Sequence, residues 1–245
     1  MKNFLLVALF VLTMTSIYAN NLHTVTNPTA GVLSRGEARI HNKVFLNNGL
    51  QLGATVGLFD NFQFGVTYGG EHLVGNQEPK WYDIPSFNAR LRVINETLTF
   101  PAIAIGFDNL GHGAYYKGLN RYDIKSKGAY VVASKNFSFL GLIGFDFGMN
   151  YSFENTEEGR FDFFAGVYKT VGQNLTLFTD FSAGLNDNQT RSGMFDGSRG
   201  FLNTGVQLRL NDQLSIKLLM HDLFENKYNT HGFDRSILID YRWFF

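Results

Sequence analysis

The sequence predicts an all-β fold, a transmembrane antiparallel up-and-down β-barrel of about twelve strands behind a cleaved signal peptide. Three observations carry that prediction: the way the chain ends, a period-two alternation along most of its length, and connections that sort by length according to parity. The chain finishes Ile237-Leu238-Ile239-Asp240-Tyr241-Arg242-Trp243-Phe244-Phe245. In a strand, Ile237, Ile239, Tyr241, Trp243 and Phe245 share one face. A soluble protein has little use for an exposed aromatic ladder, whereas a lipid-facing strand needs one, with aromatics at the interface. Ile239, Tyr241, Trp243 and Phe245 are therefore read as a barrel-assembly signal.

The alternation begins upstream. Leu50, Leu52, Ala54, Val56 and Leu58 fall on one face against Gln51, Gly53, Thr55 and Gly57, and after Asp60-Asn61 the pattern resumes with Phe62, Phe64, Val66 and Tyr68. Equally clear strands are Phe87 to Val93, Ile143 to Tyr151, Leu202 to Leu208 and Leu214 to Met220. Less regular ones run near Glu37 to Leu46, Pro101 to Asn109, Ile124 to Lys135, Phe161 to Thr170 and Asn174 to Leu185. With the C-terminal strand these give an even count, as bacterial barrels require. Barrels of this kind alternate short periplasmic turns with longer outer loops. The breaks at Asp60-Asn61, Asn95 to Phe100, Asn136 to Leu142, Val171 to Gln173 and Asn211-Asp212 are brief, while Gly70 to Ile84, Asp108 to Asp123, Asn186 to Arg199 and Asp222 to Asp234 are long. A soluble sandwich has no reason to sort its loops in this way.

The start of the chain agrees with export. Met1-Lys2-Asn3, an apolar run from Phe4 to Met14 and small residues up to Ala19 form a signal peptide over residues 1–19. The run is too short for a membrane anchor, which needs about 20 apolar residues. Residues 20–35 are polar and non-periodic, and read as a periplasmic lead-in or as a segment entering the lumen; the barrel occupies 36–245. Lysine plus arginine equals aspartate plus glutamate, 21 against 21, so no overall field recruits nucleic acid. The absence of cysteine excludes lipoprotein anchoring, disulfide scaffolds and thiolate metal sites. No cofactor or metal motif is found.

Several stretches carry a family resemblance: Ala54 to Glu71, Arg92 to Thr97, Pro101 to Asp108, and Ser126 to Phe137. They resemble the barrel domain of the YjbH-like outer-membrane proteins, which are associated with exopolysaccharide gene clusters. The resemblance covers most of residues 30–245. It implies a bacterial outer-membrane location and a link to surface polysaccharide export or assembly, with polysaccharide-export proteins as partners beside outer-membrane lipid, lipopolysaccharide and the barrel-assembly machinery.

If the apolar stripes face lipid, the lumen is lined by Gln51, Gln63, Asn88, Arg90, Arg92, Asp146, Asn150, Asn203, Gln207, Arg209, Lys217, Asp240 and Arg242. Those charges either pair across the lumen and plug it or leave a narrow aqueous path in which Arg90 and Arg92 face the solute. The many luminal glycines favour space inside. Three functions follow: a pore or transport component, a closed structural or partner-binding barrel, and, remotely, a hydrolase built on His221-Asp222 with Glu225 and Asp234 at the outer rim. The prediction is of a non-enzyme, because adjacent strand residues point to opposite faces. His72, His112 and His231 read as loop residues. Asn186 to Gln189 with Asp196 to Ser198 read as turns rather than a calcium loop, and Tyr115-Tyr116, Trp81-Tyr82 and Tyr228 as interface or loop aromatics.

Overall fold

A computed structural model describes residues 21–154, 160–187, 200–226 and 233–245. The expected signal peptide, and the loop residues His231, Tyr228, Gln189 and Asp196 to Ser198, lie outside the described residues. The strands follow the chain as β1 (Glu37–Phe45), β2 (Gly49–Phe59), β3 (Phe62–Glu71), β4 (Lys80–Trp81), β5 (Ser86–Ile94), β6 (Ala102–Asp108), β7 (His112–Tyr116), β8 (Arg121–Ile124), β9 (Gly128–Ser138), β10 (Leu142–Tyr151), β11 (Phe161–Val171), β12 (Leu175–Ser182), β13 (Phe201–Arg209), β14 (Leu214–His221) and β15 (Asp234–Phe244).

Twelve of these form the wall, each antiparallel to its neighbours, and β1 pairs with β15 from Glu37↔Phe244 to Val44↔Ile237. That seam closes the sheet on itself and leaves no unpaired edge, the condition for strands to cross a membrane. The wall strands are mostly nine to eleven residues long, the length a tilted strand needs to span a bilayer. The end where Glu37 meets Phe244 carries the short connections, the character expected of a periplasmic end. The other end carries the long loops, including β4, which adds to the top of β3, and a β7–β8 hairpin separate from the wall.

One expected strand is corrected. The run Ile124 to Lys135 is broken: Ile124 ends β8, and β9 starts only at Gly128, whose φ of 60° turns the chain into the wall. Between them Lys125 and Ser126 are buried rather than alternating.

Burial is inverted relative to a soluble protein. On β10, Phe147 is 62% exposed and Asp146 only 3%, so the apolar stripe faces outward and the polar one inward, as a bilayer demands. Exposed aromatics gather at both ends: Phe59, Phe100, Phe139 and Phe245 at the short-turn rim, and Trp81, Phe153 and Phe161 at the long-loop rim. Tyr68 and Trp81 stack with their ring centroids 5.6 Å apart. Tyr241 and Trp243 likewise stack on the lipid face of the last strand.

The inward glycines do not leave empty space. Gly49, Gly106, Gly144, Gly148 and Gly205 stand directly across from Phe45, Tyr130, Tyr168, Phe164 and Phe178. An added Cβ at Gly49, Gly106, Gly144 or Gly148 would enter the facing ring at 2.2–2.4 Å. Each of these glycines therefore receives an inward aromatic that fills the lumen. Gly57 instead faces main chain, with a Cβ there lying 2.0 Å from the Ser34 carbonyl oxygen. Gly57→Val should overpack this contact and lower stability by about 1–3 kcal/mol, seen as a lower transition temperature of the heat-modifiable gel band. Gly118→Ala, where nothing lies within 4 Å, should leave that temperature unchanged.

Candidate functional site: the lumen and its N-terminal hairpin

Residues 21–33 lie inside the barrel. The chain rises from Asn21, reverses at Thr24–Asn27 and descends to β1, with Thr24 N–H bonded to Asn27 O at 3.0 Å and Thr29 N–H to Leu22 O at 3.2 Å. His23 and Pro28 form a β-bridge across this hairpin. Leu22, Thr24, Asn27, Ala30, Val32 and Leu33 are all buried. Of the two readings of this segment, these contacts support the lumen-entering one.

A main chain buried this way must have its N–H and C=O groups satisfied by the wall, and the inward polar residues do so. The Asp180 carboxylate of β12 is the focus: its Oδ2 accepts from Thr24 Oγ1 at 2.7 Å and from the backbone N–H of Val25, Thr26 and Asn27 at 2.8, 2.8 and 3.1 Å. Successive amides converging on one carboxylate make an anion nest, here with the anion supplied by the wall. Asn203 Nδ2 donates to the other carboxylate oxygen at 2.7 Å and holds it in place. Asn27 is wedged between β11 and β12, donating to Phe181 O and accepting from Ser182 Oγ. Gly166, paired with Asp180, leaves room for Thr24, which a Cβ would approach to 2.9 Å.

On the opposite wall Arg90 grips both arms of the hairpin. Its Nη1 donates to Leu22 O at 2.8 Å and to Gly31 O at 2.7 Å, and its Nε to the Tyr130 hydroxyl at 2.8 Å. Ser134, itself bonded to Asp146, accepts from Ala30 N–H, and Gln63 accepts from Leu33 N–H. Arg90, Gln63, Asp146 and Asn203 thus help hold a plug, the closed one of the two lumen arrangements that the sequence leaves open.

The remaining expected lumen residues are distributed as follows. Gln51, Asn88 and Lys217 line an outer cavity. Asp240 takes Arg39 Nε at 2.6 Å across the β1–β15 seam. Asn150 donates to Lys127 O at 3.0 Å, and Gln207 is buried in the wall. Arg92, Arg209 and Arg242 lie toward the short-turn end, where Arg209 is exposed and Arg242 stands 3.8 Å from Glu37. Sequence reading missed Asp180, Arg39, His41, Lys43 and Lys127. The first four sit in the less regular strands, where carrying period two onward from Phe178 or Phe45 would have placed them on the inner face.

The hairpin divides the interior. Its Leu22, His23, Val25 and Thr26 face an outer cavity of about 130 Å³, and its Asn21, Thr29, Ala30 and Gly31 face an inner one of about 20 Å³, which is room for about one water. The outer cavity is roofed by the 109–127 loop. There His112 is buried rather than flexible: Lys43 Nζ lies 2.8 Å from its Nδ1 and Asp234 Oδ2 lies 2.6 Å from its Nε2. An ammonium can only donate, so Nδ1 accepts and Nε2 carries the proton. Arg121 reaches across to Asp187 with two guanidinium nitrogens. Burial pushes the Tyr122 hydroxyl up to about 12 and raises the Glu154 carboxyl, although Tyr122 N–H and Ser126 N–H both donate to the latter.

The grouping of His221 with Asp222, Glu225 and Asp234 is revised by these contacts. His221 stacks on His112 at 3.8 Å and meets Ser236 Oγ at 2.8 Å, Asp234 bonds His112, and Asp222 accepts from Asn226 N–H. His221 and Ser236 are both buried beneath the roof loop. Among the described residues no cluster of His, Cys, Asp and Glu is arranged to hold a metal.

No family model matches the sequence, and no curated protein matches it. Among solved structures, the KdgM porin aligns over 84% of this chain and 98% of its own at 7% identity, with a TM-score of 0.50. A KdgM porin in complex with disordered oligogalacturonate gives 8% identity, 85% and 99% coverage and 0.48. An outer-membrane channel from Pseudomonas putida F1 gives 9%, 93% and 100%, and 0.44. The first likeness is one of fold: a closed antiparallel barrel of the outer-membrane porin type.

Replacing Asp180 by Asn removes the charge that strengthens the amide bonds. In Asp180→Asn the N–H groups of Val25, Thr26 and Asn27 should exchange with solvent roughly 10-fold faster or more, while amides of the β1–β15 seam keep their rates. Hydrogen exchange resolved by residue checks this.

Proposed function

We propose that the protein is a bacterial outer-membrane channel closed by its own N-terminal hairpin, which must leave its seat for a solute to cross. The observation that carries this reading is the way the hairpin is held. It sits in a closed barrel mainly by hydrogen bonds to Asp180, Arg90, Ser134 and Gln63. Of its apolar side chains, Val25 joins a cluster with Tyr168, Phe178 and Leu219, Ala30 joins one with Ala102, Ala104 and Val132, and Leu22, Val32 and Leu33 are buried as well. The hydrogen bonds can be exchanged for bonds to water when the hairpin leaves. Charge-assisted bonds are worth roughly 1.5–3 kcal/mol each, so the seat at Asp180 keeps the closed state dominant and opening requires a driving event.

The likeness in fold to a porin supports a transport role, and the resemblance to YjbH-like proteins supports a link to surface polysaccharide export or assembly. Arg90 has a different part from the one its position in the alternation suggests. It acts as a clamp on the hairpin, so its replacement loosens the plug rather than narrowing a path.

Planar-bilayer recording tests the reading, after heat-dependent gel mobility has shown that each barrel has folded. The wild-type protein should be silent or open rarely. Deletion of residues 21–33 should give discrete, salt-dependent steps, and Asp180→Asn more frequent openings than wild type. If both folded variants stay silent, the barrel is closed by more than its hairpin and belongs to the structural or partner-binding class.

A further inference from the structure

The outer cavity has a chemistry of its own. We propose that it is a binding site for a small hydroxylated anion, a sugar acid or sugar phosphate of a single ring. The proposal rests on the channel reading only in naming that ligand as the solute; the site itself is argued from its lining.

Arg39, Lys43, Lys125, Lys127 and Lys217 face this cavity, against Asp108 as the one lining carboxylate. Asp240 lies behind the lining and accepts from Arg39. Two of the lysines make no ion pair within 4 Å among the described residues, although the charge of Asp240 reaches Lys217 and those of Asp162, Asp180 and Asp108 reach Lys127. Lys127 Nζ donates to Ser182 Oγ at 2.7 Å and lies 5.1 Å from the Phe164 ring centre. Lys217 is 6% exposed, its Nζ lies 4.8 Å from the Phe178 ring centre, and no hydrogen bond or ion pair to a described residue ends on it. A buried ammonium with no hydrogen-bond acceptor is costly, and an anion in the adjoining cavity removes that cost. His41, also in the lining, has a buried Nδ1 without a hydrogen-bond partner.

The rest of the lining describes the body of the ligand. Gln51, Thr55 and Asn88 offer amide and hydroxyl groups suited to ligand hydroxyls, while Leu219 and Leu238 present an apolar wall. Apolar walls with a few convergent polar groups are the common pattern of small-molecule sites, and a sugar ring has both kinds of surface. The volume of about 130 Å³ approaches that of an engineered cavity which holds one benzene. It therefore takes at most one six-membered ring and excludes a chain of them while the hairpin is seated.

The test is isothermal titration of the folded barrel in detergent micelles with glucuronate, glucose 6-phosphate and glucose, which share a ring and differ in charge. Saturable binding of either anion, no detectable binding of glucose, and at least 10-fold weaker binding in Lys217→Met with Lys80→Met unchanged are the expected results. Glucuronate alone would assign the site to carboxylates and glucose 6-phosphate alone to phosphates. Binding of glucose as tightly as the anions, no binding of either anion, or unaltered affinity in Lys217→Met overturns the proposal. Titration in micelles needs no open pore, so a barrel that binds and never conducts contradicts the channel reading alone. A barrel that conducts and binds neither anion contradicts the site alone.

Discussion

Backbone groups held away from water must find partners, and in this barrel that demand falls on two structures at once. The wall meets it by closing β1 onto β15, so that each strand has a neighbour on both sides. The hairpin of residues 21–33 belongs to no sheet of that wall and meets it through side chains. Asp180 takes three consecutive amides, and Arg90 donates to carbonyls on both arms. The polar inner face is thus more than the complement of a lipid-facing stripe. It is shaped to a particular length of main chain, which is why glycine stands at 57 and 166, where side chains would collide with that chain.

Two kinds of electrostatics follow from this arrangement. Around the turn of the hairpin a carboxylate meets backbone dipoles, and the charge is satisfied within the protein. Below the roof loop, cationic side chains outnumber the carboxylates that line the cavity, and Lys217 lies over the Phe178 ring while Asp240, the carboxylate whose charge reaches it, bonds Arg39. The first arrangement closes the lumen and the second prepares the space above it for a ligand of opposite charge. The hairpin takes part in both, since Val25 and Thr26 bond Asp180 through their amides and also face the cavity. Occupancy of the cavity and seating of the hairpin are therefore physically adjacent events.

The wall was legible because its code is local. Alternation at Leu50 to Leu58, or at Ile143 to Tyr151, states both strand and facing, and loop parity orders the strands. The split at Lys125–Lys127 was not legible, because it depends on the 109–127 loop folding back over the mouth, a tertiary event with no periodic signature. The same holds for His112, an ordinary loop histidine by its Gly111 and Gly113 neighbours, which becomes buried only when Lys43 and Asp234 close on it. Luminal glycines suggested space because period two reports which way a position faces and not what stands opposite. The register showed Tyr130 across from Gly106 and Phe164 across from Gly148. Asp180 could have been found by extending the alternation, but its role could not, since its hairpin partners lie more than 150 residues away in a segment with no period.

The seat of the hairpin inside the barrel is open to test by a cross-link. Thr26 Oγ1 and Asn203 Nδ2 lie 3.1 Å apart, and the chain contains no cysteine. A Thr26→Cys, Asn203→Cys double variant assembled in membranes should form a disulfide under mild oxidation. In the Thr26→Cys single variant, the introduced thiol should resist a bulky maleimide added from the periplasmic side. Free thiols after oxidation of the double variant, with rapid labelling of the single one, would show that the hairpin lies outside the barrel and would contradict the account.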